Sequence, residues 1–277
     1  MPVQPRVNGL VSGPWIVGMV ILSLLVGCGR KTSSTAPPRT LVVFAAASLT
    51  EPFAEMGGKF EAAHPGVTVI FNFAGSQQLR RQLEQGATAD VFASAGMRDM
   101  DSAAGVMKHD SIRVFAHNRL IVICPKGNPA GLASAADLAR PGLKIDLADA
   151  SVPVGNYTMR MLDAMDRDPS YGGGFRQRVL KNVVSREDNV KAVVAKVRLG
   201  EADAGIVYQS DATGDSATAL FVINVPPAVN QVADYPIGVV AASRQSALAG
   251  EFVDYVLSAG GRRILIENGF ARDTLTP

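Results

Sequence analysis

The feature that most constrains the fold is an alternation of short apolar runs with helical patterns after residue 40. Residues 41–46, 67–73 and 90–94 are runs of strand length. Between them, apolar residues recur at helical spacing over residues 49–60, and a second helix is predicted over residues 77–85. This β-α-β-α-β order predicts parallel strands covered by helices on both faces, which is an α/β lobe of three layers.

The same alternation returns in the second part of the chain. Strands are predicted at residues 120–124, 144–147, 204–208 and 237–241, and helices from Pro153, over residues 190–197 and over residues 252–256. Two α/β units follow each other without a long linker. The pattern therefore predicts two lobes joined by strands that cross between them, although periodicity does not locate the crossing points.

The first 28 residues are typical of an export signal. Arg6 is the only charged side chain before an apolar run at residues 15–26, and the run ends at Cys28. This run is short for a transmembrane helix, which needs about 20 apolar residues. Residues 25–28 resemble a lipobox, so we expect Cys28 to be the lipidated N-terminus of the mature protein. The alternative is an uncleaved anchor helix with an incidental cysteine.

Residues 29–40 are rich in Ser, Thr, Pro and basic residues and are predicted to be a flexible tether. Cys124 is the one cysteine that would remain besides Cys28, so the mature chain cannot form an internal disulfide. Cys124 ends an apolar run, which favours a buried structural thiol. With or without cleavage, residues 41–277 are expected to work outside the cytoplasmic membrane.

Charge and composition exclude some classes of partner. The 277 residues are 47% hydrophobic and 19% charged, as in a folded globular protein, and the formal net charge is only +2. This balance gives no indication of nucleic-acid binding. A small anion would have to be held by local geometry rather than by overall charge.

Four predicted strand-to-helix turns are rich in hydroxyl groups, glycine and small residues. They lie at residues 45–51, 73–78, 152–157 and 185–190, and Ser48 with Glu51 matches the S-x-x-E capping box. The first N–H groups of a helix lack intrahelical acceptors, and the helix dipole favours negative charge there. Several such turns at one cleft could hold a dianion, although a serine before a helix is commonly only an N-cap.

Four stretches of the sequence, two of which contain such turns, resemble one family. Residues 42–53 (VVFAAASLTEPF), 71–95 (FNFAGSQQLRRQLEQGATADVFASA), 200–212 (GEADAGIVYQSDA) and 267–270 (ENGF) resemble the molybdate-binding proteins of ABC transporters, the ModA family. The resemblance implies a type II periplasmic-binding-protein fold with a ligand cleft between two lobes. It places two crossing strands near His117 and Asp234. Lobe I would comprise residues 41–117 and 234–277, and lobe II residues 118–233.

The resemblance also implies a ligand set and a function. The expected molybdate ligands are the hydroxyls of two serines and a tyrosine and the backbone N–H groups of two valines: Ser48, Ser76, Val154, Val190 and Tyr208. The protein would be a monomeric extracytoplasmic lipoprotein that captures molybdate, and also tungstate, and delivers it to a membrane permease and its ATPase. It would need no cofactor. Tyr208 could instead be only a core tyrosine at a strand end.

Other functions remain open at this stage. An exported hydrolase would need a nucleophile and a base, but the three histidines (His64, His109 and His117) lie in no H-E-x-x-H motif, and no serine lies in G-x-S-x-G. A protein of the same fold could bind sulfate, phosphate, an organic ligand or a metal, although the turns lack clustered metal ligands. A protein that sequesters or senses the anion would have the same sequence features as a transport protein.

Overall fold

The structure, a computed structural model, describes residues 39–271. The expected export signal, Cys28 and most of the expected tether lie outside the described residues. The tether prediction is wrong at its end, because the first strand begins at Arg39, whose N–H donates to the carbonyl of Gly66 at 2.8 Å. No helix in the described part of the chain is long and apolar enough to cross a bilayer.

Residues 39–271 form nine strands and nine α-helices. The strands are β1 (Arg39–Ala46), β2 (Val67–Ala74), β3 (Val91–Ala93), β4 (Arg113–Pro125), β5 (Ile145–Ala148), β6 (Val183–Glu187), β7 (Ala204–Tyr208), β8 (Leu220–Asn224) and β9 (Val232–Val239). The helices are α1 (Thr50–Ala63), α2 (Ser76–Glu84), α3 (Met97–Ser102), α4 (Pro153–Arg167), α5 (Phe175–Lys181), α6 (Val190–Arg198), α7 (Asp215–Ala219), α8 (Ser246–Leu257) and α9 (Ala259–Glu267).

The strands are hydrogen-bonded in the order β2-β1-β3-β9-β4-β7-β5-β6, and β8 pairs with β4. β1 is parallel to β2 and β3, and β5 is parallel to β6 and β7, as the alternating pattern predicts. β4 and β9 are antiparallel to each other and lie between these two parallel groups. We call β1–β3 with α1–α3 the first half of the molecule and β5–β7 with α4–α6 the second half.

The predicted crossing residues are partners in the two central strands. His117 on β4 is in register with Asp234 on β9, and His117 Nδ1 lies 2.7 Å from Asp234 Oδ1. This contact ties the two central strands together at that register. The lobe limits at residues 117 and 234 stay predictions.

Aromatic side chains fix α1 and α8 against the first half of the sheet. Phe53, Met56 and Phe60 recur at helical spacing and are fully or almost fully buried. The ring centroid of Phe60 lies 5.2 Å from that of Phe252 on α8, with an edge-on interplanar angle of 82°. Such pairs contribute about 0.5–1.5 kcal/mol beyond their buried area. Phe53, in the first turn of α1, also packs edge-on against Phe252 with ring centroids 6.1 Å apart, so the contacts hold both ends of α1 against α8. Cys124 is also buried, as predicted.

Candidate functional site

The carboxyl ends of β1, β2 and β3 face those of β5, β6 and β7 across a cleft. The turns that follow these strands line a small cavity. Its walls include all five residues that the resemblance implies as ligands: Ser48, Ser76, Val154, Val190 and Tyr208. Residues separated by up to 160 positions in the sequence are thus brought together, at the place where open α/β sheets bind ligands.

Three helices begin at this cavity. α2 starts at Ser76, α4 at Pro153 and α6 at Val190. Pro153 occupies the first turn of α4, where its fixed φ and missing N–H are tolerated. Asn189 caps α6 by accepting a hydrogen bond from the N–H of Ala192 at 3.1 Å. The first N–H groups of a helix generally lack intrahelical acceptors, and all three helix dipoles place positive charge at the cavity.

Two of the three hydroxyl groups at the cavity are tied to one segment after β3. Ser76 Oγ accepts a hydrogen bond from the N–H of Ala95 at 3.0 Å. The Tyr208 hydroxyl donates to the carbonyl of Ala95 at 3.3 Å, which joins the two halves. Burial raises the pKa of Tyr208 well above its usual value, so the phenol stays protonated. Ser76 therefore keeps its proton for a hydrogen bond to a ligand, whereas Tyr208 would have to exchange its bond to Ala95 for one to a ligand.

Ser48 does not have the capping role that its S-x-x-E motif predicts. It lies in a 3-10 turn at Ala47–Leu49, and the N-cap of α1 is Leu49, with no side-chain capping hydrogen bond. The extra turn places Ser48 too early in the chain to reach the first N–H groups of α1. Its Oγ instead lies 3.0 Å from the hydroxyl of Tyr235 on β9.

The described residues that line the cavity carry no charged side chain. Charges lie just outside it. Lys191, the second residue of α6, has its Nζ 2.8 Å from Glu51 Oε2 and 3.6 Å from Asp211 Oδ1. Asp211 Oδ2 accepts a hydrogen bond from the N–H of Tyr208 at 3.1 Å. Burial raises the pKa of Asp211 to about 6, against the opposing effect of Lys191.

Further polar contacts cross the cleft at its rim. Gln77 Nε2 on α2 donates to the carbonyl of Asp188 at 2.8 Å. On the other side, the guanidinium of Arg98 on α3 donates to the carbonyl of Ser151. Together with the pair formed by Glu51 and Lys191, these contacts hold the two halves close around the cavity.

The chemistry of the site is that of neutral hydrogen-bond donors. Hydroxyl groups and backbone N–H groups can surround an anion, but they supply no general base. None of the three histidines lines the cavity: His64 stacks on Phe60, and His117 is paired with Asp234. The described residues contain no group of His, Cys, Asp or Glu that could hold a metal ion.

Sequence reasoning missed three residues that shape this site: Gln77, Asp188 and Tyr235. Gln77 and Asp188 lie within the polar turns, yet only the fold shows that they face each other. Tyr235 lies on the central strand β9, where an apolar run gives no sign that a hydroxyl reaches a serine 187 residues away.

The chain is similar to known solute-binding proteins in sequence. Residues 41–271 match the family model described as "Bacterial extracellular solute-binding protein". The molybdate-binding protein ModA of Mycobacterium tuberculosis is 42% identical over 272 residues, covering 95% of this chain and 98% of that protein.

Solved structures show the same fold at lower sequence identity. The periplasmic molybdate-binding protein of Azotobacter vinelandii superposes with a TM-score of 0.73 at 18% identity, covering 84% of this chain and 100% of that one. The sulfate-binding protein SubI of Mycobacterium tuberculosis superposes with a TM-score of 0.75 at 19% identity, covering 84% of this chain and 86% of that one. At these identities, the similarity shows the periplasmic-binding-protein fold alone.

Proposed function

The chain belongs to the bacterial extracellular solute-binding proteins and, among them, to the ModA family, and on that premise we propose that it captures molybdate outside the cytoplasm for an ABC importer. As a member of this family it is a solute-binding protein and not an enzyme. The observation that carries the proposal is the convergence of five neutral donors on one small cavity: Ser48, Ser76, Val154, Val190 and Tyr208.

The donor set suits a fully deprotonated tetrahedral oxyanion. Three helix N-termini supply N–H groups and favourable dipoles, so an anion can be held without a lysine or arginine in contact. A protonated anion such as hydrogen phosphate brings a hydroxyl that needs an acceptor. Leaving that hydroxyl unpaired in a buried cavity costs about 1–3 kcal/mol. The site should therefore prefer molybdate and tungstate to phosphate.

Sulfate is the main alternative cargo, since it is also a deprotonated tetrahedral dianion. Its bonds to oxygen are shorter than those of molybdate, so its oxygens would reach fewer donors on opposite walls of the same cavity. Tungstate and molybdate have nearly the same size, and we expect the site to bind both.

The cellular setting is a finer part of the proposal. The apolar run that ends at Cys28 supports a lipid anchor on the extracytoplasmic face of the cell membrane, with residues 29–38 as the tether. Bound molybdate would pass to a permease that works with an ATPase. The protein would act as a monomer, because one chain supplies all five donors of the cavity.

Isothermal titration calorimetry tests the proposal directly. The full chain in detergent micelles is titrated with molybdate, tungstate, sulfate and phosphate at one pH and ionic strength. We expect one-to-one binding of molybdate and tungstate that is at least tenfold tighter than that of sulfate and phosphate, since about 1.4 kcal/mol separates each factor of ten. A response to sulfate with none to molybdate would keep the anion site and overturn the cargo.

A further inference from the structure

The two serines at the cavity differ in how their hydroxyl protons are oriented. Ser76 Oγ accepts from the N–H of Ala95 at 3.0 Å, and a backbone N–H can only donate. The proton of Ser76 is therefore left for a ligand. The partner of Ser48 is the hydroxyl of Tyr235 at 3.0 Å, and a hydroxyl can donate or accept. If Ser48 donated to Tyr235, it would have no proton left for an anion.

The side chain of Tyr235 is held in one position by the aromatic rings around it. It lies on β9, it is fully buried, and its ring packs edge-on against Tyr208, Phe115 and Phe270 at centroid distances of 5.6, 6.3 and 5.2 Å. These rings keep its hydroxyl directed at Ser48.

The protonation of Tyr235 is also fixed. Burial, followed by the charge of Asp211, raises its pKa well above the usual value, although the neighbouring polar groups of Ser48 and Asn118 oppose this shift. The phenol is therefore protonated at neutral pH.

We propose that Tyr235 is a positioning residue that donates its hydroxyl proton to Ser48 and thereby turns the proton of Ser48 toward the bound anion. Tyr235 would thus donate a hydrogen bond to Ser48, as the N–H of Ala95 donates one to Ser76. Successive hydroxyl hydrogen bonds also polarise each other, which strengthens the last one. This inference rests on the proposed function, because it assigns a role to a residue behind the same anion site.

The role would make both serines donors and so add to the selectivity of the site. A serine whose hydroxyl is free to rotate could accept a hydrogen bond from a protonated anion. A serine that already accepts from Tyr235 is directed to donate, which favours the fully deprotonated molybdate over hydrogen phosphate. Tyr235 itself would not touch the anion.

A double-mutant cycle on the full chain in detergent micelles tests this role. Tyr235→Phe, Ser48→Ala and the double variant are titrated with molybdate by calorimetry, and the melting temperature of each ligand-free variant is recorded. Tyr255→Phe is the matched control, because Tyr255 is a partly buried tyrosine on α8 whose ring packs against Phe60 and not at the cavity.

We expect Tyr235→Phe to weaken molybdate binding about 3- to 30-fold, the range of one hydrogen bond, and the control to leave it unchanged. The double variant should bind within about twofold of Ser48→Ala, since the phenol acts only through that serine. Tyr235→Phe should also lower the ratio of molybdate to phosphate affinity. A purely structural role would lower the melting temperature without this coupling.

Two results would overturn the inference: unchanged affinity in Tyr235→Phe, or losses from the two single variants that multiply in the double variant. Failure of the proposed function looks different, because the unsubstituted protein would then not bind molybdate at all. If Tyr235→Phe does not fold, the inference falls unless Ser48→Ala lowers the ratio of molybdate to phosphate affinity, because a serine free to accept would serve both anions alike.

Discussion

The hydroxyl of Tyr208 already donates a hydrogen bond within the protein. It is almost fully buried, and the hydroxyl donates to the carbonyl of Ala95 at a long 3.3 Å. An anion in the cavity would compete with this carbonyl for the proton. Because a charged acceptor forms the stronger hydrogen bond, the exchange favours the anion. Tyr208 would thereby join a residue from the second half of the molecule to a ligand also held by the first.

Tyr208→Phe removes this donor and keeps the ring that packs against Tyr235. We expect molybdate binding to weaken by about 0.5–3 kcal/mol, the cost of a lost or unmatched hydrogen bond. Calorimetry measures the change, and Tyr171→Phe, away from the cavity, is the control. Equal affinity of the Tyr208 variant and the unsubstituted protein would remove Tyr208 from the site.

Asp146 is a buried carboxyl group outside the anion site. It lies on β5 and is fully buried, and burial, with the nearby charge of Glu187, raises its pKa to about 7. The charge of Lys196 opposes the shift. Because the pKa is raised in the folded state, the folded protein binds this proton more tightly than the unfolded chain does. The contribution of Asp146 to stability is therefore fully present below about pH 4 and is lost as the pH rises from about 4 to about 7.

Asp146→Asn removes this pH dependence, because an amide does not titrate. We expect the free energy of unfolding to match that of the unsubstituted protein near pH 4 and to exceed it at pH 8. The difference should be a few kcal/mol, since each pH unit contributes about 1.4 kcal/mol. Urea denaturation across this pH range measures it. The exposed Asp254→Asn serves as a control, and parallel pH profiles for all three proteins would contradict the assignment.

At the scale of helices and strands, two glycines let helix starts approach other segments closely. A Cβ on Gly75, the N-cap of α2, would overlap the carbonyl of Asp188 across the cleft. A Cβ on Gly155, in the first turn of α4, would lie 2.6 Å from the carbonyl of Ala148, within the second half. The first overlap arises only when the halves are close, whereas the second is present in any folded state.

Gly75→Ala should therefore weaken molybdate binding by at least about tenfold, while the free protein loses no more than about 1 kcal/mol of stability at a helix cap. Gly155→Ala should lower the stability itself. Gly58→Ala is the control, because a Cβ there meets nothing within 4 Å and alanine suits a helix interior better. Calorimetry and thermal melting separate the effects, and equal losses of stability for Gly75→Ala and Gly155→Ala would refute the distinction.

Long elements with a clear period were predictable from the sequence. α1, α6 and β1 have continuous apolar faces or runs, and their predicted ranges are confirmed to within a few residues. β6 and β8 were not predicted. Both strands are five residues long and largely not buried. β6 has only two apolar residues in a row, and the apolar run of β8 is only four residues long, so neither gives a strong strand signal. Their place in the sheet depends on pairing with β5 and β4 rather than on their own sequence.

The site was predictable only in part for a similar reason. The turns and the family resemblance gave the five cavity residues, because each belongs to a local motif. Partners such as Tyr235 and Ala95 are set by tertiary contacts and have no local motif. The capping role of Ser48 was predicted wrongly, because a one-turn 3-10 segment before α1 shifts the N-cap to Leu49.

At the scale of the whole molecule, closure depends on contacts between the halves. The pair formed by Glu51 on α1 and Lys191 on α6 is partly exposed, with an N–O distance of 2.8 Å. Exposed pairs contribute about 0–1 kcal/mol and are screened by salt. This contact should thus adjust the balance between open and closed forms without determining it.

Glu51→Gln should weaken molybdate binding by no more than about fivefold at low salt, and the effect should shrink at 0.5 M salt. Glu55→Gln is a close control, because Glu55 lies on the same helix but pairs with Lys59 within it, at 3.2 Å. Calorimetry at two salt concentrations measures the difference. A large effect that persists at high salt would assign Glu51 a role in the site itself.

The position of β9 also determines the order in which the molecule can be completed. β9 lies between β3 and β4, yet it follows both by more than a hundred residues. A chain delivered from its N-terminus can pair β4 with β7 and β8 once residue 224 has emerged. The edge of β3 stays unpaired until residues 232–239 have emerged, because β9 is its partner on that side. The sheet of the first half is therefore completed late, although its strands emerge first. A chain cut short before β9 would keep two open strand edges, which are sites of aggregation.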